Sequence, residues 1–249
     1  GNIKEETYYF EKETNQKSRF FDENGLLLEE KNFLNGQPNG NWKFFYPDKS
    51  IRISEEYEAG ILNGTRKEYY QNGNLRLFQE YVNGKLNNHV VNFLPNGNKK
   101  DDITYKNGVI FGIATRYHEN GKIQETGKQE GDVKTGEWLF YTEKGNLWKK
   151  ETYAKGILNG PREEYGGNGK LKTKENYKMG MLEGNHAIFH DNGIIKTETY
   201  YKAGKEHGLI KHFHDNGKIE IQGHYALGIK KGTWKYYDRE GNWLRNEKW

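Results

Sequence analysis

Histidine is the residue type in this chain best suited to chemistry, and six copies fall late: His186, His190, His207, His212, His214 and His224. His190 and His214 lie 24 residues apart, and His186 and His190 share a strand face. Imidazoles placed as such neighbours could hold zinc or nickel. The same position elsewhere carries Asp22, Tyr46, Tyr70, Thr142 and Asp238. That variation marks a solvent-facing position, so no metal site is assigned. Paired carboxylates such as Glu55-Glu56 and Glu163-Glu164 sit in charged segments. General acid–base catalysis needs a pocket that shifts a pKa, and nothing in these segments would desolvate the pair. Ser18, Ser50 and Ser54 lie outside any G-x-S-x-G elbow. Gly166-Gly167-Asn168-Gly169 reads as turn glycines rather than a phosphate loop, because no helix is predicted to follow it. The absence of cysteine excludes disulfides, thiolate-bound zinc and thiol chemistry. No catalytic residue and no cofactor are assigned.

Two groups could bind without reacting. The basic stripe Arg52, Arg76, Lys100, Lys172 and Lys196 could touch anionic lipid or nucleic acid, but glutamates nearby balance it. Trp42, Trp138 and Trp234 are each followed two residues later by Phe44, Phe140 or Tyr236. Exposed aromatic side chains anchor interfaces, which makes these six the candidate partner-binding residues.

A 24-residue repeat positions all of these groups. One glycine recurs at Gly40, Gly64, Gly112, Gly136, Gly160, Gly184, Gly208 and Gly232, broken by Asn88. A second recurs from Gly25 to Gly241, broken by Lys49, and an aromatic column runs from Phe21 through Tyr141 to Tyr237. Fixed self-similarity means a repeat array, which offers long surfaces rather than a closed catalytic pocket. Hydrophobic residues make up 33% and charged residues 30%, a balance that alone points to disorder. The 14% of aromatics argues against that, since few such rings build a thin core. The net charge of +4 is interleaved along the chain, unlike the clustered cations of a nucleic-acid binder. No apolar run is long enough to span a membrane as a helix.

Within a repeat, two short segments flank an Asn-Gly turn, as at Asn192-Gly193, which reads as a β-hairpin. A three-residue loop closed by glycine in the left-handed region predicts the register: Phe189 opposite Ile195, Phe21 opposite Leu27, Tyr141 opposite Leu147. Counting on by twos puts the later Tyr column (Tyr57, Tyr153, Tyr201, Tyr225) on the same face as these pairs. The columns of Trp42 and Phe44 then fall on the opposite, mixed face, with Arg52 and its equivalents facing them. The connections, with Ile61-Leu62, Val109-Ile110 and Ile157-Leu158, are expected to fold back under the hairpins. Residues 88–135 are the least regular, either a neutral weakness or a kink that shapes a binding surface.

The unit G-x-W-x-x-Y-Y-x-x-N-G-x-L…Y-x-x-G-x-x-x-G is carried best by residues 41–64, 137–160 and 233–249. It resembles the second type of MORN repeat, the variant of bacterial YwqK-like antitoxin-family proteins. The resemblance implies an all-β fold: an elongated, single-layer, twisted antiparallel sheet of about ten tandem β-hairpin repeats of 24 residues. It would run as one continuous array over residues 1–249, with partial copies at 1–17 and 233–249. It also implies neutralisation of a toxin by binding. A weaker resemblance is to choline- and glycan-binding cell-wall modules, whose units are shorter and richer in Trp. The expected function is therefore a non-enzymatic protein-binding scaffold, with a surface carbohydrate-binding array, or an anionic membrane surface as ligand, as the alternative. Gly1-Asn2 reads as a trimmed start, which leans toward an exported protein; the other reading is an arbitrary boundary within a longer array.

Overall fold

The computed structural model describes residues 4–10 and 14–249. Gly1 lies outside them, as do parts of the degenerate first copy. The described residues form 23 strands and no helix, and their pairings are antiparallel, most of them between neighbours in sequence. The fold is all-β and built from successive hairpins. It divides into two compact units, Gly1–Lys122 with Gln129–Asp132, and Ile123–Lys128 with Val133–Trp249. The division falls inside the segment that the sequence marks as least regular.

In the first unit pairing runs through β1 (Lys4–Phe10), β2 (Asn15–Phe21), β3 (Leu27–Leu34), the short β4 (Gln37–Pro38) with β5 (Gly40–Phe45), β6 (Ile51–Glu58), β7 (Ile61–Tyr69), β8 (Leu75–Val82), β9 (Lys85–Phe93), β10 (Lys99–Lys106) and β11 (Val109–Tyr117). The second unit holds β12 (Ile123–Glu130) through Lys128. It continues through β13 (Val133–Tyr141), β14 (Leu147–Ala154), β15 (Ile157–Tyr165), β16 (Leu171–Lys178), the short β17 (Met181–Leu182) with β18 (Gly184–Phe189), β19 (Ile195–Lys202), β20 (Lys205–Phe213), β21 (Ile219–Ala226), β22 (Ile229–Tyr237) and β23 (Trp243–Lys248).

The three-residue loop forms as its residues require. The Asp22 N–H donates to Leu26 O (2.9 Å), the Gly25 N–H donates to Asp22 O (3.1 Å), and Gly25 takes φ 81°. Phe21 then pairs with Leu27, Tyr141 with Leu147 and Phe189 with Ile195, the predicted register. Asn suits the position before the glycine because its Oδ1 accepts the N–H two residues on, as Asn72 does from Asn74 (3.0 Å). Its Nδ2 reaches the next copy's loop, from Asn192 to Asp215 O (2.7 Å) and from Asn216 to Arg239 O (2.8 Å). The two glycine exceptions keep the backbone that glycine serves: Lys49 has φ 67° and Asn88 has φ 66°.

Two features depart from the expectation. First, the three-residue-loop hairpins after Phe21, Phe45, Tyr69, Phe93, Tyr141, Tyr165, Phe189, Phe213 and Tyr237 carry a bulge just after the loop: Phe45 pairs with Ile51 but Phe44 with Ile53, which leaves Arg52 unopposed. One extra residue reverses which face each later side chain takes. Tyr57 therefore lies beside Trp42, with ring centroids 4.7 Å apart, and Tyr225 beside Trp234 at 5.1 Å. The Tyr column shares the Trp face, not the face of Phe45 and Ile51. Arg52, Arg76, Lys100, Lys172 and Lys196 are the exposed bulge residues and face no partner strand position. Second, the connections do not fold back. Ile61, Val109 and Ile157 begin strands, and Glu58 pairs with Ile61 across a two-residue turn, Ala59-Gly60. Both turn residues have positive φ (47° and 83°), the type I′ geometry that matches strand twist.

Candidate partner-binding site

The column that begins at Trp42 contains the most buried apolar side chains of the protein. Val90, Ala114, Trp138, Ile210 and Trp234 are its buried members, with Trp138 at 0% and Trp234 at 2% exposure. Of the six candidate residues, these two indoles are thus packed into the sheet face rather than presented on it. Trp42, Phe44, Phe140 and Tyr236 are half-buried. The reason is local. Gly127 lies across from Trp138, and a Cβ there would sit 2.5 Å from the indole; Gly223 makes the same room for Trp234. Both glycines lie off the two glycine columns, which is the sequence signal for this packing. Trp42 has Lys31 in the corresponding place and stays partly open.

The chain's own lysines occupy the ring faces. Lys31 Nζ lies 4.9 Å from the rings of Phe20 and Trp42 and 5.6 Å from Phe44. Lys134 Nζ lies 4.0 Å from Trp138 and 4.6 Å from Phe140, and Lys230 Nζ 4.4 Å from Trp234. A cation over a ring face is attracted by the ring quadrupole, so these sites are internally satisfied. Trp42 Nε1 donates to Asn32 O (2.8 Å) and Trp138 Nε1 to Lys128 O (2.9 Å), while buried Trp234 Nε1 has no partner.

A longer period overlies the repeat. Trp42, Phe44, Glu55, Arg66 and Glu68 recur 96 residues later as Trp138, Phe140, Glu151, Arg162 and Glu164. Each unit holds one copy. In the first, Arg66 reaches Glu55 (2.9 Å), Glu68 (2.6 Å) and Gln79 (3.0 Å). In the second, Arg162 reaches Glu151 (3.1 Å), Glu175 (2.6 Å) and Glu164. Tyr57 and Tyr153 donate to Glu55 (3.0 Å) and Glu151 (2.6 Å). Burial, then the Glu55 charge, pushes the Tyr57 hydroxyl up to about 12. The bond from His186, then Arg162, holds Glu175 down at about 2 against its burial. These carboxylates are engaged in ion pairs and hydrogen bonds, in which they act as acceptors.

His186, His190, His212 and His214 are each engaged separately, while buried His207 Nδ1 has no partner. His190 Nε2 lies 2.8 Å from Phe213 O and His214 Nε2 3.2 Å from Tyr237 O, each tying one loop to the next hairpin. Tyr46 and Tyr70 make the same bond to Tyr69 O (2.7 Å) and Phe93 O (2.8 Å). His212 Nδ1 meets Thr197 Oγ1 at 3.0 Å. Among the described residues no group of three or more His, Asp or Glu is placed to hold a metal ion. No helix among them is long and apolar enough to cross a membrane.

The open surface lies instead at the type I′ turns. Large apolar side chains follow them at repeat spacing, with Ile157 53%, Met181 51% and Ile229 63% exposed in the second unit and Ile61 49% and Val109 58% in the first. The pockets are shallow by comparison; one, about 400 Å³, is an open groove that includes Asn185, Ala187, Tyr200 and Leu209.

The family model for the MORN repeat variant matches residues 62–83, 112–128, 134–155, 158–179, 182–203 and 206–226, together half of the chain. The chain belongs to the MORN repeat variant family. A MORN unit here is one strand, the three-residue loop and the next strand, beginning and ending at type I′ turns. The unmatched copy over 84–111 keeps the hairpin, with Phe93 opposite Lys99 and Val90 opposite Ile103. No curated protein matches the chain. Crystal structures of TcdB2-TccC3-Cdc42 and of TcdB2-TccC3 are similar over 90% of this chain at 12% identity and TM-score 0.23, too distant to bear on fold or function. This chain covers 13% of the length of those chains. MORN repeats of this all-β kind point to a repeat-based binding scaffold.

Proposed function

We propose that the protein is a non-enzymatic scaffold that binds another protein, in the manner of a toxin-neutralising partner. The observation that carries this reading is the apolar strip at the type I′ turns. Side chains that cost free energy in water stand about half exposed at repeat spacing, and exposed apolar surface of this order marks interaction sites. The engaged carboxylates and lysine-covered rings support binding over catalysis and over glycan stacking, which needs free ring faces. The test is affinity capture by the full chain from its source organism, with co-expression beside toxins encoded nearby. A stoichiometric protein partner and rescue of growth are expected. Capture of no protein, with tight binding on a glycan array, overturns the reading.

A further inference from the structure

The second unit carries its apolar strip furthest into solvent, and two of its side chains are there at a conformational cost. Met179 and Leu227 occupy the first position of type I′ turns with φ 52° and 51°, a region that penalises every side chain with a Cβ. The first unit uses Asn35, Asn83 and Asn107 at that position, the residue that tolerates it best, and Ala59, whose side chain is a single methyl. Met179 is nevertheless 74% exposed and Leu227 50%. A long apolar side chain that is both strained and in water gains nothing within the fold.

The turns form one row within this unit. The Gly156 N–H donates to Lys134 O (2.9 Å), Gly180 to Leu158 O (2.8 Å), Gly204 to Leu182 O (2.9 Å) and Gly228 to Glu206 O (2.8 Å). Val133 lies against Gly156 and Ile157 against Gly180, so each turn leans on the next. Lys205 takes the fourth place of the row itself, after Val133, Ile157 and Met181, and Lys155, Lys178 and Lys202 stand beside it; all four lysines are exposed and in no ion pair among the described residues. Glu183, on the same edge, is already held by the Ala203 N–H (2.7 Å).

We propose, building on the scaffold reading, that this turn edge docks an acidic amphipathic helix of the partner. Successive apolar positions are two strands apart, about 9.6 Å at the usual strand spacing. Seven residues of α-helix rise about 10.5 Å, so a heptad-spaced apolar stripe meets one turn per heptad. The row from Val133 to Ile229 covers four repeats, about 38 Å, which a helix of roughly 26 residues spans. The unpaired lysines require acidic residues flanking that stripe.

The probe is a fluorescein-labelled 26-residue peptide with Leu at heptad a and d positions and Glu beside them, titrated with the full chain. Saturable binding that weakens as salt rises is expected. Met179→Asn with Leu227→Asn should weaken it at least tenfold while the chemical-denaturation midpoint stays equal or rises, since Asn relieves the turn strain. A Lys-for-Glu version of the peptide should not bind. The proposal is overturned if the acidic peptide does not bind, if the double variant binds it equally, or if phosphatidylserine vesicles displace it from the wild-type chain. If affinity capture succeeds while these fail, the scaffold stands and this edge is not its site.

Discussion

Gly127 and Gly223 stand where other copies carry Lys31, Glu151, Glu175 or Thr199, and each lets its indole bury fully, where Trp42 stays partly open. Gly127→Ala would drive a methyl group into Trp138, and overpacking of this kind costs about 1–3 kcal/mol. Gly167→Ala, with nothing within 4 Å of the new methyl, should be close to neutral. Urea denaturation of the two variants gives the comparison. Glu175 makes a pH prediction. Its folded pKa of about 2 lies below the ordinary 4.5, so its ionised form stabilises the fold above that range. This contribution is lost as pH falls from 4.5 toward 2. The gap in denaturation midpoint between wild type and Glu175→Gln should narrow across that window and stay constant above it. His190 and His214, which vary like solvent-facing positions in sequence, each bind a carbonyl of the next hairpin. Alanine at either should cost about 0.5–1.5 kcal/mol, and His190→Tyr should restore it, because Tyr46 and Tyr70 make the same bond.

At the scale of the element, the hairpin loop was legible because its demands fall on residue types. Glycine at positive φ, broken only by Lys49, and Asn before it in seven copies leave a repeated mark, and loop length alone sets the register. The bulge left no such mark. Arg52 and Lys196 look like any strand residue, yet skipping them moves the Tyr column to the other face. The second turn carries its Asn-Gly mark only at Asn35, Asn83 and Asn107; Ala59, Met179 and Leu227 are poor type I′ residues, so the signal does not recur along the array. The candidate tryptophans stand out in the sequence, but their exposure cannot be read from a column whose depth is set by a glycine on the neighbouring strand. Strain at the turn predicts that Leu227→Asn alone raises stability by about 0.5–1 kcal/mol. Gly64→Ala should do the opposite, because at φ 124° its Cβ would lie 2.9 Å from the Glu56 Cβ. Thermal melts of both variants check the sign at each position.

At the scale of the molecule, the strands of each unit exchange hydrogen bonds mainly with sequence neighbours, so stability is a sum of local hairpin terms and nearest-neighbour interfaces rather than one shared core. The apolar column reflects this. Trp138 is fully buried, yet what covers it belongs to its own and adjacent strands: Lys134, Phe140 and the space above Gly127. Removing the ring should therefore be felt nearby and fade with distance along the chain. Trp138→Ala is expected to cost about 3–5 kcal/mol locally and to speed amide exchange in β12 through β15, while β6 through β9 in the other unit keep wild-type protection. Hydrogen exchange followed by mass spectrometry resolves the two units separately. Equal acceleration in both would mean that the whole chain unfolds as one cooperative body, and the local account of its stability would fail.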